Sequence, residues 1–176
     1  MHLTKAAGTF RGPGFMVRLL QVILTLAIKN MKTMHIARQN DLDGINRIRK
    51  KVRDDDEDPH KIKDFEVEDV LEKEYQITIV SKDQNNITGF LTLQKHYTND
   101  PHDVAIIQLF VDHQYRNKGI GESLIKFVIK YCQDNIKYNE IVLSILNDNI
   151  AIRLYKKCGF VVIKEDNDGK WMSLKL

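Results

Sequence analysis

One stretch constrains this chain more than any other. An apolar strand runs without interruption into a basic, glycine-bearing turn and from there into an amphipathic helix. Val104–Val111 is apolar except for Gln108, the pattern of a strand covered on both faces. Asp112-His113-Gln114-Tyr115 and Arg116-Asn117-Lys118-Gly119-Ile120-Gly121 follow. Ile120, Leu124, Val128 and Tyr131 then recur at helical spacing, with Ile125 and Cys132 widening the stripe. A strand covered on both faces needs a layer on each side of its sheet, so the expected fold is α/β: a mixed sheet flanked by helices on both faces.

The other elements agree with that architecture. His35–Arg38 reads as a short strand, Asn40 as a helix N-cap, and Leu42, Ile45, Ile48 and Val52 as one helical face. The acid run Asp54–Asp58, closed by Pro59, stops that helix, and a second is expected through Val67, Val70 and Leu71. Ile77–Ser81 and Ile87–Leu93 are strand-like around the turn Asp83-Gln84-Asn85-Asn86. Ile141–Leu146 is another buried strand, residues 149–158 form a short helix closed by Gly159, and Phe160–Ile163 pairs with Trp171–Leu176 as a hairpin. The order is β-α-α-β-β-β-α-β-α-β-β.

Composition narrows the function classes. Of 176 residues 43% are hydrophobic and 29% charged, which suits one globular domain with its own core. Cys132 and Cys158 lie 26 positions apart with no His at finger-like spacing, which argues against a metal site or a disulfide framework and for a cytoplasmic location. Residues 1–35 carry five basic side chains and no acid, leaving 22 basic and 24 acidic side chains in the rest. The body is therefore not a cationic surface built for nucleic acid.

Residues 1–33 form a basic and apolar extension, and 34–176 the domain proper. Within Phe15–Ile28 the polar residues Arg18, Gln21 and Thr25 line one stripe of a helix. At ~1.5 Å per residue that helix covers about 21 Å, short of a roughly 30 Å hydrocarbon core, which disfavours a membrane span. Three readings stay open: an over-long translation start, a targeting peptide, and a helix lying on a membrane or partner surface.

The chemistry concentrates in the turn at residues 116–121. The first turn of a helix leaves backbone N–H groups unpaired, and these point at any bound anion. Gly119 and Gly121 remove Cβ atoms where a main chain must approach a ligand, while Arg116 and Lys118 add positive charge. The assembly suits a pyrophosphate, although an ordinary strand-to-helix turn needing glycine for its dihedrals is the plain alternative. The P-loop pattern is absent, and a dinucleotide fingerprint would need glycine where Leu124 stands.

A second block runs Asn147-Asp148-Asn149-Ile150-Ala151-Ile152-Arg153-Leu154-Tyr155-Lys156-Lys157-Cys158-Gly159-Phe160. Together the two blocks resemble the GNAT superfamily of acyl-CoA-dependent N-acyltransferases. Leu109 and Val111 match its strand end, and Arg116, Gly119 and Gly121 its turn. Ala151, Ile152, Leu154, Tyr155, Lys157, Gly159 and Phe160 match its second signature, with Tyr155 34 positions beyond Gly121. The resemblance covers residues 34–176 in element order and is most specific in 104–163. Two departures stand out: His113 replaces a usual proline, and Asp148 occupies the usual place of a helix-capping Asn, with Asn149 next to it.

What the resemblance implies is an N-acetyltransferase acting on a small-molecule or peptide amine by direct attack on the thioester of acetyl-CoA. Its pyrophosphate would sit on the backbone of Asn117, Lys118, Gly119, Ile120 and Gly121, beside Arg116, with Asn149 as a further contact. Its pantetheine arm would run along Leu109, Phe110 and Val111, where a bulge parts that strand from Ile141–Leu146. A main-chain N–H near Phe110 or Val111 would polarise the thioester carbonyl, a term typically worth ~2.7–4 kcal/mol. Tyr155 would be the general acid for the departing thiolate, against the alternative of a core aromatic. The resemblance implies no metal and no nucleic-acid partner, and it admits a homodimer.

The general base stays unassigned among Gln108, Asp103, Ser144, Asp112 and His113, since a lone loop histidine is more often solvated than catalytic. Asp54–Asp58 would suit a cationic acceptor, or is simply a solvated loop. Two rival classes are a non-catalytic acyl-CoA-binding module and a membrane- or partner-docking protein acting through residues 15–28.

Overall fold

In a computed structural model of the protein, the described residues are 33–55, 66, 72, 73, 75–95, 103–134 and 138–176. Residues 1–32, the acid run beyond Asp55 and the helix expected through Val67–Leu71 lie outside them. The described elements are β1 (Thr33–Ile36), α1 (Leu42–Asp55), β2 (Gln76–Asp83), β3 (Asn86–Lys95), β4 (Asp103–Val111), α2 (Ile120–Asp134), β5 (Glu140–Ile145), α3 (Ile152–Lys157), β6 (Val161–Glu165) and β7 (Lys170–Lys175).

The seven described strands make one sheet in the order β1-β2-β3-β4-β5-β7-β6. Among the described strands only β4 and β5 run parallel, and a parallel pair needs the crossover that α2 supplies. The alternation along each strand assigns its residues to two layers. Ile77, Ile79, Leu91, Leu93, Val104, Ile106, Ile141 and Leu143 pack with Leu124, Ile125 and Val128 of α2 and with Tyr155 of α3. Val80, Ile87 and Phe90 pack on the opposite face with Ile45 and Ile48 of α1. Helices thus cover both faces, as the pattern predicts.

The entry to α1 differs in detail from the sequence-based expectation. β1 ends at Ile36, and Asn40 is not a cap. The Asp41 carboxylate instead accepts the Arg38 N–H at 2.9 Å, bending the chain into a 3-10 turn over Gln39–Asp41 ahead of α1. The carboxylate makes the turn because it is itself held, by Lys82 at 2.5 Å and His35 Nε2 at 3.0 Å.

The relation between β4 and β5 positions everything that follows. Thr92 of β3 pairs with Gln108, but Leu93 pairs with Ile106, so β4 carries one extra residue, Ile107, at a bulge. β5 pairs with β4 only from Asp103–Glu140 to Ala105–Val142. Beyond that point the two strands part, and the opening begins where β4 bulges.

Candidate active site

The opening between β4 and β5 has two sides. Leu109 and Val111 follow Leu91 and Gly89 of β3, toward α2, whereas Gln108 and Phe110 follow Thr92 and Phe90, toward α1. The Phe110 ring packs on Phe90 at 5.3 Å. The backbone alternates as well. Asp112 N–H donates to the Thr88 carbonyl at 2.9 Å, so the Phe110 N–H also points at β3 while those of Leu109 and Val111 point into the opening. Of the two donors considered from the sequence, the backbone direction favours Val111.

At the end of β4, Asp112 is buried. Its side chain accepts the Gln114 N–H at 3.4 Å and lies 3.2 Å from Lys51 and 3.9 Å from Arg47, both on α1. Burial pushes its pKa up, but Lys51, the Gln114 N–H and Arg47 outweigh that and hold it below the ordinary carboxylate value. Asp112 is thereby a clasp between α1 and β4, with His113 exposed beside it at 3.3 Å.

The turn after Asp112 is exposed from Arg116 to Gly119. Asn117 and Gly119 both take left-handed backbone conformations, φ 59 and φ 75. A Cβ at Gly119 would meet nothing within 4 Å, so the turn is open on that side, and the glycine is required by its dihedral. Gly121 is glycine for another reason: it is buried, and a Cβ there would lie 3.0 Å from Leu154 of α3. The absent atom makes room for a helix rather than for a ligand. Ile120 and Gly121 open α2, and Ser123 N–H donates to the Gly119 carbonyl at 3.0 Å. The Arg116 Nε donates back to the Val111 carbonyl at 3.2 Å, and the Lys118 ammonium lies 5.1 Å from the centre of the Tyr115 ring.

Tyr155 is buried in the layer that contains Ile106 and Leu143, edge-on to Phe160 at 5.5 Å. Burial, with Cys158 nearby, raises its pKa well above the ordinary phenol value. Among the described residues its hydroxyl has no hydrogen-bond partner. Asn149 Oδ1 accepts the Ala151 N–H at 2.9 Å and so caps the approach to α3; its carbonyl is already engaged.

One group that the spacing alone did not single out, Arg49, lies on the α1 side. Arg49 is 4% exposed and donates to Gln108 Oε1 at 2.7 Å. Its position four residues after Ile45 was the signal that it sits on the buried face of α1. Ser144, by contrast, is exposed on β5 and pairs with Trp171 of β7. Among the described residues no group of His, Cys, Asp and Glu is placed to hold a metal ion, and no helix is long and apolar enough to cross a membrane.

Comparison with known proteins agrees with this architecture. Residues 42–160 match the Acetyltransferase (GNAT) family. The spermine/spermidine N(1)-acetyltransferase of Bacillus subtilis (strain 168) is 32% identical over 99 residues, 53% of this chain and 65% of that protein. The L-amino acid N-acetyltransferase AaaT of Escherichia coli (strain K12) is 29% identical over 91 residues, 51% of this chain and 54% of that protein. The chain thus spans less than two thirds of the length of these curated relatives. Among solved structures, the PaiA N-acetyltransferase of Thermoplasma acidophilum in complex with coenzyme A superposes with a TM-score of 0.65 at 16% identity, over 83% of this chain and 99% of that one. The Salmonella typhimurium protein yncA, solved with its cofactor acetyl-CoA, gives 0.66 at 19%, over 84% and 95%. The family match covers more than half of the chain and ends on the glycine-phenylalanine pair after Tyr155, and the likeness in fold extends beyond it. This protein is a member of the acetyltransferase (GNAT) family.

Proposed function

We propose that the protein transfers an acetyl group from acetyl-CoA to a primary amine. The observation that carries this reading is the opening between β4 and β5, with outward-turned backbone N–H groups at Leu109 and Val111 and the turn at 116–121 beside it. The residues present fit the cosubstrate: Gly119 faces open space, and the first turn of α2 presents the N–H groups of Ile120 and Gly121. Asn117, Lys118 and Arg116 complete the anion-binding turn.

When bound, acetyl-CoA supplies the activated acyl group. The Val111 N–H then polarises the thioester carbonyl, a contribution of ~2.7–4 kcal/mol for one well-placed donor. Tyr155, kept protonated by burial, gives its proton to the departing sulfur. The walls of the opening hold amine and thioester in reacting order, which lowers the barrier through orientation. The relatives named for spermine/spermidine and for L-amino acids support an amine as the acceptor. The free thiols Cys132 and Cys158 suit a cytoplasmic location.

Gln108, bonded to Arg49, stands on the strand where a carboxylate base would be sought, and this favours a second reading, a binding module without turnover. Incubating the protein with acetyl-CoA and an amine panel while following free thiol separates the two. Thiol release is the expected result; tight acetyl-CoA binding with no release across the panel supports the module. Gly119→Glu, which puts charge and bulk into the turn, is expected to abolish acetyl-CoA binding, and unchanged affinity would refute the placement of the site.

A further inference from the structure

The parting of β4 from β5 leaves the end of β4 short of support. Up to Ala105 the strand is held by β3 on one side and by β5 on the other. From Ile106 to Val111, among the described strands, it has only β3 beside it. A backbone donor stabilises developing charge because it is fixed in place beforehand and need not reorganise during the reaction. The stretch that carries the Leu109 and Val111 N–H groups is therefore the one that has lost a neighbour.

A side-chain strap from α1 stands in for β5. Arg47 and Lys51, at i and i+4, share one face of α1. Arg47 Nη2 donates to the Ile87 carbonyl of β3 at 2.7 Å, and Lys51 Nζ lies 3.3 and 3.2 Å from the two Asp112 carboxylate oxygens. Asp112 directly follows Val111. Its N–H donates to the Thr88 carbonyl at 2.9 Å, and its own carbonyl accepts the Tyr115 N–H at 2.7 Å. Thr88 Oγ1 is bonded in turn to Ser81 of β2. With its backbone tied to β3 and its buried carboxylate tied to α1, Asp112 cannot shift without breaking a charged contact away from water. The other tie at this point, from Arg116 Nε to the Val111 carbonyl, is exposed and competes with solvent.

We propose that Asp112 is a positioning residue: held by Lys51 and Arg47, it fixes the end of β4 and with it the Val111 N–H that faces the thioester. The assignment rests on the acetyl-transfer reading of the opening and adds the residue that keeps its donor in place. The Asp112 side chain turns toward α1, so it acts through Val111 rather than on the reacting atoms.

The test compares the full chain as wild type, Asp112→Asn and Lys51→Gln. Asp112→Asn keeps an oxygen for the Gln114 N–H and removes the charge. Lys51→Gln loosens the same strap from a partly exposed position and stays informative if the first variant folds poorly. Amide-nitrogen relaxation on the free protein reads the strand directly. Order parameters near ~0.85 are expected for Leu109 and Val111 in the wild type, falling toward ~0.6 in Asp112→Asn and less in Lys51→Gln, with no change at Ile79 of β2. With acetyl-CoA bound and no amine present, the infrared band of an isotope-labelled thioester carbonyl should lie below its solution position in the wild type. In Asp112→Asn it should return part of the way. Turnover should fall about ten-fold in Asp112→Asn, a share of the roughly 10²–10³-fold carried by a whole oxyanion donor, with the KM for acetyl-CoA within about two-fold. Order parameters that neither variant changes, or a loss confined to KM, overturn the assignment. Order parameters that respond as expected, in a wild-type protein that releases no thiol with any amine, would sustain the strap and sink the acetyl-transfer reading.

Discussion

Glu122, in the first turn of α2, is joined to Lys157, in the last turn of α3, by an ion pair of 2.6 Å. One residue earlier, Gly121 leaves the space that Leu154 fills. Lys126 shares the Glu122 carboxylate, and together Lys126 and Lys157 hold its pKa down to about 2. Both contacts seat α3 on the start of α2, so the turn that opens α2 and the helix that carries Tyr155 are braced as one unit.

That seating predicts a specific sensitivity at Gly121. Gly121→Val drives a branched side chain into Leu154 and is expected to cost about 1–3 kcal/mol, the range for overpacking. For a chain of this size each kcal/mol lowers the melting temperature by roughly 2–4 °C, which a calorimetric scan resolves. Adding Leu154→Ala to the same variant should recover part of the loss. Full stability of the single variant would show that the contact is not tight.

Tyr155→Phe removes one oxygen from a buried ring and leaves the edge contact with Phe160 intact. Turnover is expected to fall about 100-fold, the lower range for losing a general acid, while the KM for acetyl-CoA stays within two-fold. Equal turnover in the variant would return Tyr155 to the status of a core aromatic.

Acid should unfold the protein through its buried carboxylates. For Asp41, burial raises the pKa, but Lys82, the Arg38 N–H and His35 outweigh it; both Asp41 and Asp112 end below their ordinary value of 3.8. A folded pKa below the unfolded one means that the unfolded chain binds more protons. The stabilisation is therefore complete above the unfolded value and is lost as pH falls through the folded one. Urea midpoints are expected to hold from pH 7 to about pH 5 and to decline below about pH 4. Asp112→Asn should be less stable at pH 7 and show a shallower decline; a parallel decline would remove Asp112 from the account.

Gln108→Leu takes the carbonyl from a buried guanidinium and is expected to destabilise by about 1.5–3 kcal/mol, the range for a hydrogen bond to a charged group. Arg49→Met in the same chain should offset part of that loss, giving a coupling energy in a double-mutant cycle. Simple additivity by urea titration would mean that the pair contributes nothing jointly.

Much of this architecture is legible in the residues alone. Period-two and helical spacing reveal which face of its own element a residue occupies, and that suffices for the two-layered sheet, the α2 stripe and the closing hairpin. The turn at 116–121 and the block around Tyr155 are contiguous in the chain, so their chemistry can be read in the same way. Opposing surfaces are a different matter, because periodicity carries no information about what lies across from a face. The opening between β4 and β5 depends on a one-residue register shift at Ile107, which only strand pairing reveals. Arg49 meets Gln108 across 59 positions, Asp112 meets Lys51 across 61, and Gly121 answers to Leu154 rather than to a ligand. These are long-range packing relations, decided when the sheet closes and each side chain acquires a neighbour that no local pattern names.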